Sequence, residues 1–231
     1  MNLFTIKNLS VYYDNYCVLN NLSLDIYKGE FIVIVGESGS GKTTILNALA
    51  NFISYSGKIS VPKNQGIVFQ QNAVFPWLTV SENILFGISS HKGKEKILNG
   101  LLEITKLKDK KDEYPSKLSG GQIQRVALAR SIAPNPELLL MDEPFGALDS
   151  FTRAKLQEWL LFLWSKHKKT VVFVTHDIEE AIFLADRILI LDKSIFKKEI
   201  KVPFSRPRMP NIKLTPEFNK IKKNIFNYYL Y

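Results

Sequence analysis

The sequence predicts an α/β fold, a mainly parallel sheet with antiparallel strands ahead of it. Three observations predict it. Four short apolar runs, Phe31–Val35, Leu138–Met141, Val171–Val174 and Ile188–Leu191, have the length and unbroken hydrophobicity of strands buried on both faces. Helix-spaced stretches alternate with these runs, as in βα units packed on a parallel sheet. Upstream, residues 3–26 carry alternating β-branched and aromatic residues and break at Asp14-Asn15, which reads as antiparallel strands.

Taken in order, Leu3–Ile6, Val18-Leu19 and Leu22–Ile26 supply the antiparallel strands, with Tyr12, Tyr13 and Tyr16 clustered at their break. Such tyrosines either pack locally at a strand edge or offer a flat face to an adenine ring. The turn Lys28-Gly29-Glu30 starts Phe31–Val35, and Thr44–Ala50 continues as a helix. Ser56–Val61 and Gly66–Phe69 read as short strands, the latter ending at Gln70-Gln71. The large apolar residues of Ala73–Val80 follow no clean period, and Ser81–Phe86 reads as a capped helix. Ile97, Leu98, Leu101, Leu102, Ile104 and Leu107 give residues 94–107 a helical stripe. Ser119 is placed to cap a helix through Arg130. After Leu138–Glu143 come a helix over 150–166, a strand over Thr170–Val174, a helix over Ile178–Ala185 and a strand over Arg187–Leu191. Ser205–Pro210 reads as extended, and Pro216 to Phe226 as a last short helix.

Composition narrows the function. Hydrophobic content of 45% supports a real core. No apolar run approaches the ~18 residues of a membrane span, and the N-terminus reads as a strand rather than a secretory leader. The expectation is a soluble or peripheral protein in the cytosol. The single cysteine, Cys17, excludes an internal disulfide and a cysteine metal cluster. Of the net charge of +9, the segment from Lys193 onward supplies eight, with ten Lys/Arg against Glu199 and Glu217. The rest of the chain is nearly neutral, so the charge argues little for nucleic acid. That basic tail reads either as a solvated face or as a contact for anionic lipid or an acidic partner.

The chemistry gathers around Gly36-Glu37-Ser38-Gly39-Ser40-Gly41-Lys42-Thr43, which fits the P-loop pattern G-x-x-x-x-G-K-[ST] between a strand and a helix. Its glycines let backbone N–H groups curl around an anion, and the new helix aims its positive dipole end at the same point. Lys42 is suited to the β- and γ-phosphates and the Thr43 hydroxyl to Mg²⁺, with Thr44 near the α-phosphate. Asp142 and Glu143 place two carboxylates at the carboxyl end of a buried strand, where open α/β sheets bind ligands.

With Leu118-Ser119-Gly120-Gly121-Gln122 and Leu138–Glu143 in place, the chain from about Met1 to Leu191 resembles an ATP-binding-cassette (ABC) nucleotide-binding subunit. The resemblance implies a P-loop NTPase (RecA-like) core with a mainly parallel sheet, an antiparallel β-subdomain near the N-terminus and an inserted α-helical subdomain. It sets an ATPase domain at 1–191, a helical subdomain at about 72–131 and a basic extension at 192–231. It implies ATP and Mg²⁺ as ligands and a head-to-tail dimer. In that dimer the P-loop of one copy and the signature Ser119, Gly120, Gly121 and Gln122 of the other enclose one nucleotide. Asp142 resembles the Mg²⁺-holding aspartate and Glu143 the general base. His176 matches the switch histidine, and Gln70 the glutamine that links metal and water to the partner. Ala147-Leu148-Asp149 matches the loop that crosses the dimer interface. Tyr13 is the adenine-stacking candidate, with Tyr12 and Tyr16 as alternatives.

Phe75-Pro76-Trp77-Leu78-Thr79-Val80 and Ser205-Arg206-Pro207-Arg208 resemble segments of the nitrate/sulfonate/taurine importer group, which also serves thiamine precursors. The implied partners are a second copy, an integral-membrane permease and, indirectly, an extracytoplasmic substrate-binding protein, with no nucleic acid. The implied location is the cytoplasmic face of the membrane. Phe75 and Trp77 suit either a permease groove or packing inside the helical lobe. The chain departs from the group at Ile123-Gln124, in the loop after Leu191 and in a shortened Gly87–Gly93. An exporter or lipoprotein-release cassette is the alternative reading, followed by a non-transport ABC ATPase acting on nucleic acid.

Overall fold

The computed structural model describes residues 3–70, 74–88, 93–146 and 148–230. The chain runs β1 (Leu3–Tyr13), β2 (Tyr16–Tyr27), β3 (Phe31–Val35), α1 (Lys42–Leu49), β4 (Ser56–Ser60), β5 (Gln65–Val68), α2 (Val80–Leu85), α3 (Lys94–Thr105), α4 (Gly120–Ile132) and β6 (Leu138–Asp142). It continues as α5 (Ser150–His167), β7 (Thr170–Thr175), α6 (Ile178–Leu184), β8 (Arg187–Asp192), β9 (Ile195–Lys201) and α7 (Pro216–Leu230).

Two sheets form. One is antiparallel, in the order β2-β1-β4; the other has six strands in the order β5-β6-β7-β3-β8-β9. The pairs from β5 to β8 are all parallel, and only β9 runs antiparallel. Because side chains alternate along a strand, the large sheet feeds two cores. Phe31, Val33, Leu139, Met141, Val171 and Phe173 face α4, α5 and α6, whereas Ile32, Ile34, Leu138, Leu140, Val172 and Val174 face α1 and the antiparallel sheet. Residues 31–35 are therefore wholly buried.

Several expectations shift. The cap of α2 is Thr79, two residues before Ser81, with Glu82 completing a capping box. The irregular stretch ahead of it is shaped by Asn83, a fully buried residue whose side chain bonds the backbone of Phe75, Leu78 and Thr79. The sheet also runs on past Leu191, the boundary expected from the sequence. Lys193 and Ser194, at φ 45° and 71°, turn the chain into β9 without a glycine. The last helix is longer than expected, reaching Leu230.

The basic tail is not one solvated face. Arg208 is 5% exposed, and its Nη1 donates to the carbonyls of Ile182, Phe183 and Ala185 at the end of α6. Arg206 pairs with Asp186 at 2.9 Å and lies 4.2 Å over the Trp164 ring. Phe218 and Ile225 bury the inner face of α7, and Lys222 pairs with Glu179 on α6. Residues 202–230 thus form a strap over α6.

Candidate active site

Four adjacent parallel strands bring their carboxyl ends to one edge. β3 delivers the glycine-rich loop, β6 Asp142-Glu143, β7 Thr175-His176 and β5 Gln70. A cleft of about 590 Å³ opens there, lined by Tyr13, Val18, Ser38, Gly39, Gly41, Lys42, Thr43, Thr44, Gln70, Glu143 and His176. A larger groove of about 800 Å³ lies beside β2 and β9. Arg187, which lines it, is committed to Glu30 and Glu199.

The loop is built for close approach. A Cβ at Gly36 would fall 2.4 Å from Ser40 Oγ and 2.7 Å from the Leu191 carbonyl. Gly41, at φ 101°, is the residue before α1, and no side chain caps that helix. The N–H groups of its first turn therefore remain available to an anion. Lys42 is 5% exposed, and its Nζ donates to the carbonyls of Gly36 and Glu37, each at 2.9 Å. Gly36, Glu37 and Ser40 shape the loop from behind without lining the cleft.

The carboxylates are held differently. Asp142 is buried, with Oδ1 lacking any hydrogen-bond partner. Burial pushes its carboxyl up, against the pull of the Thr43 hydroxyl. A buried, orphaned carboxylate oxygen beside a hydroxyl fits a hard divalent cation, whose preferred donors are oxygens. Glu143 sits at φ 39°, a left-handed conformation that costs a non-glycine residue about 1–3 kcal/mol. Its N–H donates to the Val174 carbonyl at 3.0 Å, which fixes it against β7. Its Oε1 lies 3.4 Å from Lys42 Nζ and its Oε2 2.8 Å from His176 Nδ1. One carboxylate thus spans the loop lysine and the histidine. His176 is 61% exposed, and among the described residues its Nε2 has no partner.

Of the three tyrosines only Tyr13 lines the cleft. Tyr12 instead pairs across the hairpin with Cys17, whose thiol contact raises its phenol. Tyr13→Ala is expected to raise the KM for ATP about 10-fold, as one lost base stack of ~1–3 kcal/mol implies, with kcat within about 2-fold. Tyr16→Ala in the same steady-state assay is expected to leave KM unchanged. A larger effect at Tyr16 would move the stacking position.

Ser119, Gly120, Gly121 and Gln122 do not line this cleft. They begin α4, where Ser119 and Gln122 cap each other reciprocally. Gly121 abuts α5, since a Cβ there would meet the Thr152 methyl at 2.5 Å. Leu148 and Asp149 lead into α5, and Asp149 caps it; Ala147 lies outside the described residues, as do Gln71, Ala73 and 89–92. Trp77 is 69% exposed, while Phe75 is half-buried between Phe86 and the Arg130 guanidinium. Asn83, Arg153 and Asp177 are not legible as functional residues in the sequence; for Arg153 the signal is its place four residues beyond Asp149.

Comparison with known proteins matches residues 19–146 to the ABC transporter family model. The aliphatic sulfonates import ATP-binding protein SsuB 1 of Paracoccus denitrificans is 42% identical over 223 residues, covering 95% of this chain and 90% of its own. Its Bacillus subtilis counterpart SsuB is 41% identical over 221 residues, with 91% and 86% covered. Among solved structures, the dimeric bacterial ABC transporter cassette MJ0796 superposes with a TM-score of 0.76 at 34% identity, covering 87% of this chain and 100% of that one. A post-hydrolysis dimer of the same cassette with ADP and Pi gives 0.73.

Proposed function

Because this chain belongs to the ABC transporter family, we propose that it is the ATP-binding and ATP-hydrolysing subunit of an importer, driving uptake of a small solute through a separate permease. The relatives named for aliphatic sulfonate import favour a sulfonate-like solute within the nitrate/sulfonate/taurine class and do not favour an exporter. The observation that carries the reading is the convergence of Lys42, Glu143, His176 and Gln70 on one cleft that excludes Ser119–Gln122. Such a cleft is half a site, and a second copy supplies the signature half.

In this reading the glycine-rich loop and Lys42 hold the β- and γ-phosphates, and Tyr13 stacks on adenine. Thr43, Asp142 and Gln70 hold Mg²⁺, which when bound offsets charge on the phosphate oxygens. Glu143 accepts the proton of the attacking water as that water approaches the γ-phosphorus in line with the departing ADP oxygen. His176, positioned by Glu143 Oε2, presents Nε2 to the γ-phosphate. Ser119 with the N–H groups of Gly120 and Gly121 closes on that phosphate from the partner copy, aided by the α4 dipole. We take α2–α4 as the inserted helical lobe. No helix among the described residues is long and apolar enough to cross a membrane. As in an importer of this family, the chain sits on its permease at the cytoplasmic face, with a substrate-binding protein on the far side.

Reconstitution tests this. The chain, co-purified with its permease in vesicles and supplied with a substrate-binding protein, is expected to take up an alkylsulfonate only with ATP inside the chain's compartment. Trp77→Ala should cut uptake about 30-fold while leaving ATP binding intact, as loss of one aromatic anchor of ~2 kcal/mol would. Uptake unchanged by Trp77→Ala would remove that residue from the permease contact. Hydrolysis with no solute uptake would remove the importer reading.

A further inference from the structure

We propose that Arg153 is a positioning residue for hydrolysis, tying the loop after Glu143 to the end of β7 that carries His176. The inference rests on the reading of His176 as a hydrolytic group. Arg153 stands on the first turn of α5, and its two terminal nitrogens diverge. Nη2 donates to the Leu148 carbonyl at 3.0 Å, and Nη1 to Asp177 Oδ2 at 3.3 Å. Asp177 is fully engaged. Its N–H donates to Thr175 Oγ1 at 3.0 Å, and its Oδ1 accepts from the Glu180 N–H at 3.1 Å, capping α6.

These contacts close a ring. Glu143 begins a pair of turns, Gly146 N–H to the Glu143 carbonyl and Leu148 N–H to the Phe145 carbonyl. Leu148 leads through Arg153 to Asp177, the next residue is His176, and His176 returns to the Glu143 carboxylate at 2.8 Å. Every link but the guanidinium is backbone, a cap or the catalytic pair itself. Among the described residues, Arg153 is the side chain that joins the Leu148 carbonyl to Asp177.

A stability role explains this poorly. Both partners of the ion pair are part-buried, each 31% exposed, so solvent screens part of their attraction. Two acceptors in two directions instead call for a planar fork, which a lysine ammonium lacks. The outer side of the ring also touches the signature, because Thr152 packs on Gly121. Pressure from a second copy on Leu148 or on the start of α4 thus reaches His176 through one guanidinium. The position of Nε2 is set by whether the dimer face is occupied.

Steady-state and single-turnover ATP hydrolysis by the purified chain tests the inference. Arg153→Met and Arg153→Lys are each expected to lower kcat about 10- to 100-fold, the loss a roughly 1 Å misplacement produces, while KM for ATP stays within about 2-fold. Asp177→Asn should do the same. In a His176→Ala background, Arg153→Met should add less than about 2-fold, because both changes remove one function. If Arg153→Met folds poorly, Arg153→Lys and Asp177→Asn carry the test. A normal rate for Arg153→Met, rescue by lysine, or losses that multiply in full with His176→Ala would each overturn the positioning role. His176→Ala at the wild-type rate would instead remove the reading of His176 itself.

Discussion

Glu143→Gln is expected to lower ATP hydrolysis by about 100-fold or more while ATP binding survives, the loss typical of a removed general base. Glutamine keeps the side-chain length, so its carbonyl oxygen can still accept from His176, and the backbone anchor to Val174 is untouched. What it cannot do is take a proton. The amide also relieves the loop of a negative charge 3.4 Å from Lys42 Nζ, leaving that ammonium free to serve the γ-phosphate. Binding should therefore hold or tighten, and because the partner's signature half closes on the γ-phosphate in this reading, a variant that keeps that phosphate should accumulate as an ATP-bound dimer. Size-exclusion chromatography with and without ATP, beside a phosphate-release assay, reads both effects. Hydrolysis at the wild-type rate would assign the proton to another group.

Arg208→Met is expected to destabilise the fold by about 3 kcal/mol, since each buried carbonyl left without a donor costs ~1–3 kcal/mol and solvent recovers part of the loss. The last carbonyls of any helix lack partners within it. In α6 they are met from outside, with Ile182, Phe183 and Ala185 all accepting from Arg208 Nη1. Burial and the neighbouring Arg206 charge push the guanidinium down to about 10, which still leaves it protonated at neutral pH. The melting temperature should fall by roughly 6–12 °C, at 2–4 °C per kcal/mol for a chain of this size. Arg208→Lys should recover only part of it, because an ammonium cannot also serve the Phe204 carbonyl in the plane of a fork. Thermal melts followed by circular dichroism measure it, and a shift under about 2 °C would mean the strap holds α6 by its apolar face alone.

The parts legible in the sequence were those with a strong local signal. Phe31–Val35 and its three companions announced buried parallel strands because both their faces are apolar. The loop, Asp142-Glu143 and His176 announced the site because strand ends punctuate those runs. The sheet order then explains why four distant segments meet. Other features lacked a local signal. β9 reads Ile-Phe-Lys-Lys-Glu-Ile-Lys, an edge strand half in solvent, entered through Lys193-Ser194 instead of glycine. Arg208 reads in the sequence as a tail cation within the Ser205–Arg208 segment, and only the packing of the strap reveals that its guanidinium is a helix cap. Asn83 and Arg153 act on backbone atoms of other segments, so their meaning depends on a fold that composition and spacing do not contain. What sets Tyr13 apart from Tyr12 and Tyr16 is the cleft lining, together with a hairpin register that pairs Tyr12 with Cys17 and Tyr13 with Tyr16, and neither is written in the spacing.

The place of β3 in the sheet has a consequence for how the molecule is made. It is synthesised early, yet its two neighbours are β7 and β8, with Phe31 opposite Val171 and Val33 opposite Ile188. Pairings so remote in sequence form slowly, because the chain between them must be ordered first. Until then Phe31–Val35 is an unpaired, apolar, β-branched segment of the kind that draws chains together. The nucleotide loop at its end is therefore a late product of folding. A ligand that grips the loop favours only chains in which β3, β6 and β7 are already in register. For this protein ATP is a keystone before it is a fuel.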